Sequence, residues 1–206
     1  MSKREAALEA FLRLVAERGF AAVALRDVAA AAEMSLSDLH RLYPDKAALI
    51  ASFIGHIDSE VLAGTHASGD PEETARDRLF DVMMRRYDAL KARRPAWREI
   101  RKAMLRDPIL ALSLAPTVRR SMAAMLEAAG IPSEGFPGAV RQNGLAAIHF
   151  DVSRTFGDDD SSDLSKTMAA LDGRLKRAER WAQSVEKYTD FRRPKRREQE
   201  VETPTS

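Results

Sequence analysis

Residues 24–46 read ALRDVAAAAEMSLSDLHRLYPDK, an alanine-rich stretch, a short polar turn, and a second short segment closed by Pro44. The spacing predicts a helix over 25–32, a turn carried by EMS at 33–35, and a second helix that opens at Ser35 and runs to 43. This is helix-turn-helix spacing. Small residues at Ala29 and Ala32 let the two helices approach closely, and the second helix is left to present its N-terminal residues to a major groove. Ser35 and Asp38 have the spacing of a capping box at its start.

Working outward, Leu8, Phe11, Leu12 and Val15 fall at i, i+3, i+4 and i+7, which predicts a helix over 3–18 ended by Gly19 in a left-handed cap. On the other side, Asp45 caps a longer helix to about residue 62. Asp70, followed by Pro71, Glu72 and Glu73, predicts a fifth helix running to about residue 94, because proline fits the first turn and the acids face the positive end of the dipole. Pro95, Pro108, Pro116, Pro132 and Pro137 then divide the middle into helices at about 96–106, 109–129 and 138–156, with Pro116 a point of kinking or splitting.

Ser161 or Ser162 caps a last helix in which Leu164, Met168, Leu171, Leu175, Ala178, Trp181, Val185 and Tyr188 form a coiled-coil-like seam. Nothing alternates with period two for long enough to make a strand, so the fold class is all-α. The expected domains are a three-helix helix-turn-helix unit at 1–50, a helical bundle for ligand binding and dimerisation at 51–190, and a disordered tail at 191–206. In the dimer, Leu164, Leu171, Leu175 and Trp181 are expected to pack with Leu145, Ile148 and Val152 of the preceding helix against the same surfaces of a twofold mate.

Composition removes several function classes. The 206 residues include no cysteine, so no disulfide framework, thiolate metal site or cysteine nucleophile is available. The N-terminus has no continuous apolar leader, and no stretch approaches the roughly 18 uncharged apolar residues of a membrane span. A cytoplasmic protein without integral membrane association is expected. His40, His56, His66 and His149 are scattered, and no glycine-rich phosphate loop or nucleophile elbow occurs, so neither a metal, a cofactor nor an enzyme is expected.

The net charge of +2 conceals an uneven distribution. Residues 1–50 hold equal numbers of acids and bases, whereas 85–106 hold nine bases against Asp88 and Glu99. That run is either the solvated face of helices or an anion-binding surface. Six of the eight methionines, Met83, Met84, Met104, Met122, Met125 and Met168, lie between residues 83 and 168, with Trp97 among them. Such methionines either fill a core or line a deformable apolar pocket, for which Met83, Trp97, Met104, Met122 and Met125 are the candidates.

The pattern RDVAAAA, EMS, LSDLHRLYPDKAALI resembles the N-terminal domain of the tetracycline-repressor (TetR) family, and Gly19 and Phe20 match that family's signature after the first helix. The resemblance spans about residues 5–55 and implies a homodimeric regulator that binds a double-stranded DNA operator and releases it when a small apolar ligand binds. It departs from the family pattern at Ala24, Glu33, Asp38 and His40, where a hydroxyl, a turn glycine, a threonine and a tyrosine are usual. The candidate DNA contacts that remain are Lys3, Arg4, Arg26, Ser37, His40, Arg41, Tyr43 and Lys46. Residues 96–108, 125–131 and 158–182 also resemble the ubiquinone-biosynthesis accessory proteins of the same fold, which implies an isoprenoid-binding protein without DNA binding as the alternative.

Overall fold

A computed structural model describes residues 2–65 and 73–192, with side chains described through Ala182. Among the described residues the chain is wholly helical: α1 (Lys3–Arg18), a 3-10 turn (Phe20–Ala22), α2 (Leu25–Ala31), α3 (Leu36–Leu42), α4 (Lys46–Ala63), α5 (Ala75–Lys91), α6 (Arg94–Arg106), α7 (Pro108–Ala128), α8 (Gly135–Gly157) and α9 (Ser165–Arg192). The start of α1 is closed by a full capping box, in which Ser2 and Glu5 each accept the other's backbone N–H. Its end is Gly19, at φ 82° and ψ 152°. This is not the left-handed helical cap expected from the sequence but a more extended conformation that glycine alone tolerates.

α5 begins later than expected. Thr74 is its cap, accepting the Asp77 N–H at 3.2 Å, while Asp70–Glu72 lie outside the described residues. Pro116 neither splits nor ends α7, which continues through it. Pro108 occupies the first position of α7, and Asp107 accepts the N–H groups of Ile109 and Leu110 at 3.0 Å each. By length and hydropathy α7 is long and apolar enough to cross a membrane, although Arg119 and Arg120 interrupt its apolar run. Residues 193–206, most of the expected tail, lie outside the described residues.

One continuous apolar core runs from Ala7 in α1 to Leu175 in α9. The boundary expected between residues 50 and 51 falls inside α4, a single helix that packs on α1 at one end and on α5 and α7 at the other. At the far side, α8 and α9 lie against each other, and an exposed Asp151–Arg174 ion pair at 2.7 Å spans them. Their connection is organised by buried Asp159. Burial alone would raise its carboxyl pKa, but hydrogen bonds from the hydroxyls and backbone N–H groups of Ser161 and Thr167 hold it well below the carboxylate range.

The expected seam of α9 divides: Leu164, Leu171 and Leu175 face inward, Met168, Ala178 and Trp181 are exposed, and Val185 and Tyr188 lie outside the residues whose side chains are described. Leu164, Leu171, Leu175, Leu145 and Val152 are all buried within the single chain, and Ile148 is half-buried, because α5 and α8 cover that side of α9. Of the seven residues expected at a dimer interface, only Trp181 is openly exposed, at 61%. Leu171→Glu or Leu175→Glu should therefore unfold the bundle instead of dissociating a dimer, at a cost above about 3 kcal/mol. Trp181→Glu removes little packing within the single chain and should leave it folded, and circular dichroism spectra of the three variants check this.

Candidate nucleic-acid interface

α2 and α3 are too short to be stable alone and are held by their ends and by packing. Asp27 accepts the Ala24 N–H at 3.0 Å, so the carboxylate supplies the cap that a Thr or Ser at 24 would have shared. Ser35 Oγ accepts the Asp38 N–H at 3.0 Å. The expected capping box is only half formed, because the Asp38 carboxylate turns to the Arg41 guanidinium. Hydrogen bonding with Ser35, then Arg41, keeps the Asp38 carboxyl below its usual pKa, so the acid of α3 is ionised and internally paired.

Between the helices the chain turns at Glu33, whose φ of 53° lies in the left-handed region. The conformation costs a residue with a Cβ about 1 kcal/mol, and the turn is closed by Met34 N–H donating to the Ala29 carbonyl at 3.0 Å. Here the backbone keeps the bend that glycine usually makes, with a different residue.

This frame leaves Lys3, Arg4, Arg26, Ser37, His40 and Arg41 exposed. Arg26 stands 3.7 Å from Asp27, an open pair that solvent screens. Two of the expected DNA contacts are directed elsewhere. Tyr43 is 3% exposed, and its hydroxyl lies within hydrogen-bonding distance of the Arg4 carbonyl and Ser52 Oγ. Lys46 Nζ donates to the carbonyls of Phe20 and Val23 at 3.0 and 3.1 Å and sits over the Phe20 ring, and burial lowers its pKa. Both side chains fasten α1, the 3-10 turn and α4 together, which explains their positions without a phosphate.

The candidate ligand residues meet in the bundle. Met83, Met122, Met125 and Trp97 are buried in the common core, and Met104 packs against it half-buried. Periodicity alone does not reveal the rings that join Trp97 among them. Phe53, Trp97, His149, Tyr87 and Phe156 form successive ring contacts with centroids 5.2–6.4 Å apart, linking α4, α6, α8 and α5. Tyr87 Oη lies 3.0 Å from His149 Nδ1. Burial, reinforced by nearby Arg86, pushes the His149 pKa well below its ordinary value, so the ring is neutral. Trp97 Nε1 and His149 Nε2 are buried and lack partners among the described residues. Among those residues no three His, Asp or Glu side chains gather as a metal site.

If Lys46 is a fastening group, Lys46→Met should destabilise the protein by about 1–3 kcal/mol through the two orphaned carbonyls. It should leave the salt dependence of any DNA binding unchanged. Denaturant melts, together with binding titrations at several salt concentrations, check both halves.

Residues 7–53 match the family described as bacterial regulatory proteins, tetR family. Among solved structures, a TetR transcriptional regulator from Nitrosomonas europaea is 23% identical, covers 86% of this chain and 98% of its own, and superposes with a TM-score of 0.68. A TetR transcriptional regulator from Rhodococcus sp. RHA1 is also 23% identical, with 84% and 94% covered and a TM-score of 0.59. The multidrug binding protein EbrR, solved with imidazole, is 22% identical, with 84% and 88% covered and a TM-score of 0.54. No curated protein matches the chain. Residues 7–53 are thus a helix-turn-helix domain of the TetR type, and the described chain has the fold of TetR transcriptional regulators.

Proposed function

We propose that this chain is a transcriptional regulator that binds a palindromic DNA operator as a homodimer and releases it when a small apolar ligand occupies the helical core. The observation that carries the reading is the open face of α3, where Ser37, His40 and Arg41 are exposed, with exposed Arg26 in the same matched segment and exposed Lys3 and Arg4 just before it. The reading assigns no catalysis and no cofactor. The domains at 1–50 and 51–190 act through α4, which belongs to both.

For dimerisation, the interface moves to the outward face of α8 and α9. Trp181 of α9 is exposed there, and α8 contributes exposed Gly144. A large exposed aromatic side chain is the feature of that face most suited to a twofold mate. For the ligand, the buried but unpartnered Trp97 Nε1 and His149 Nε2 supply polar groups to orient a molecule held among Met83, Met104, Met122 and Met125. Displacing Trp97 would disturb Phe53, its neighbour on α4.

A second reading, the isoprenoid-binding protein without DNA binding, is favoured by one surface. Ile109 and Leu112 are 80% and 75% exposed at the start of α7, beside exposed Leu105 at the end of α6.

A titration with the DNA upstream of the protein's own gene separates the two. With about two or three phosphates neutralised per subunit, the dimer should show a log affinity against log salt slope of about −4 to −5. Arg41→Ala should weaken binding, and Asp38→Asn should strengthen it across all sequences. A blank shift at about 50 mM salt, with a preparation that carries a bound isoprenoid, would replace the regulator by the second reading.

A further inference from the structure

Apart from Arg86, which is buried against Asp58, the basic run at 85–106 is not used by the interface or by the core, and part of it gathers in one place. Arg94, Arg98 and Lys102 recur every four residues and so form a stripe along one face of α6. They line a cleft of about 740 Å³ with Lys91 of α5, Ala16 of α1 and the chain leading from α8 to α9. Like charges at this spacing disfavour a helix, so the stripe opposes the stability of α6. Among the described residues the acids lining the cleft are Glu99 and Asp160, and with Asp158 at its edge the four cations still leave it net positive.

The cations are held in place but weakly satisfied. Arg94 donates to the Asp159 carbonyl and lies over the Phe156 ring, while its Nε is buried without a partner among the described residues. Lys91 donates to the Ser162 carbonyl. Arg98 faces Asp158 at 3.6 Å and Lys102 faces Glu99 at 2.6 Å, both with exposed head groups. Backbone carbonyls position two of the charges without neutralising them, and the ion pairs of the other two are open to exchange with a stronger anion.

We propose that this cleft binds a small molecule bearing phosphate groups, with Arg94 and Arg98 contributing guanidinium forks and Lys91 and Lys102 point charges. Phosphate is the matching chemistry because two planar forks and two ammonium groups offer more N–H donors than one carboxylate has lone pairs. The volume suits a compact ligand. The cleft is not a continuation of the DNA-facing surface. Its α1 residue, Ala16, lies about 18–20 Å along the helix from Lys3 and Arg4, and none of the candidate DNA contacts lines it. It does adjoin the helix-turn-helix domain, since Arg93 pairs with Glu9 of α1 at 2.8 Å.

The site stands independently of the regulator reading, and its test contains no DNA. The full chain in phosphate-free buffer is titrated with inorganic pyrophosphate by calorimetry, with sodium chloride at matched ionic strength as the blank and succinate as the carboxylate comparison. Saturable binding of one pyrophosphate per chain is expected, at least ten-fold tighter than succinate. The double variant Arg98→Gln, Lys102→Gln should bind at least ten-fold more weakly, and its exposed head groups make it safer for folding than Arg94→Gln. Arg106→Gln, on the same helix but outside the cleft, should bind like the parent. Heat indistinguishable from the chloride blank, equal affinity for succinate, or undiminished binding by the folded double variant would overturn the proposal.

Discussion

The arrangement of the molecule depends on the Asp58–Arg86 ion pair, which holds α4 to α5 and, through Ser121, to α7. Arg86 is 2% exposed, and Asp58 Oδ1 accepts both from its guanidinium and from Ser121 Oγ at 2.7 Å. Removing one partner of such a pair leaves a charge out of water and costs about 3–5 kcal/mol. The pair sits on the helix that leaves the helix-turn-helix domain. Thirteen residues earlier, Asp45 caps the same helix and Lys46 ties it to the carbonyls of Phe20 and Val23. α4 is thereby fixed in the bundle at one point and in the N-terminal domain at another, so the pose of α3 is set by the packing of the bundle.

That linkage gives the aromatic contacts of the core their meaning. Trp97 and His149 stack within the bundle, and Trp97 also meets Phe53 on α4 between its two fastening points. Each of the two rings brings a buried nitrogen with no partner among the described residues. A molecule that satisfied those nitrogens would be favoured by the cost of leaving them unpaired, and it would have to separate rings that now touch. Under the proposed function, ligand affinity and movement of α4 would arise from the same contacts.

The N-terminal domain was legible in the sequence because its determinants are local. Ser35, Asp45 and the alanines between Val28 and Glu33 act within a few residues of where they stand, and the structure keeps the helices they imply. Tertiary partners were not legible. Periodicity showed that Leu171 and Leu175 form an apolar stripe, but it cannot say what buries a stripe, and α5 and α8 of the same chain do so. Residue type suggested a phosphate for Lys46, although its carbonyl partners lie 26 and 23 residues away. The same distance problem hid Tyr87 and His149, which are 62 residues apart. A lone histidine in an apolar stretch was the one available signal.

The central claim is that α3, held by this scaffold, reads DNA as one of a symmetric pair. In vitro selection from a pool of random duplexes, using the purified full chain at low salt, tests it most directly. The account predicts enrichment of an inverted repeat whose half-sites lie about one helical turn apart or a multiple of it, with enrichment lost in Arg41→Ala. A pool that remains unenriched after repeated rounds with folded protein would contradict it.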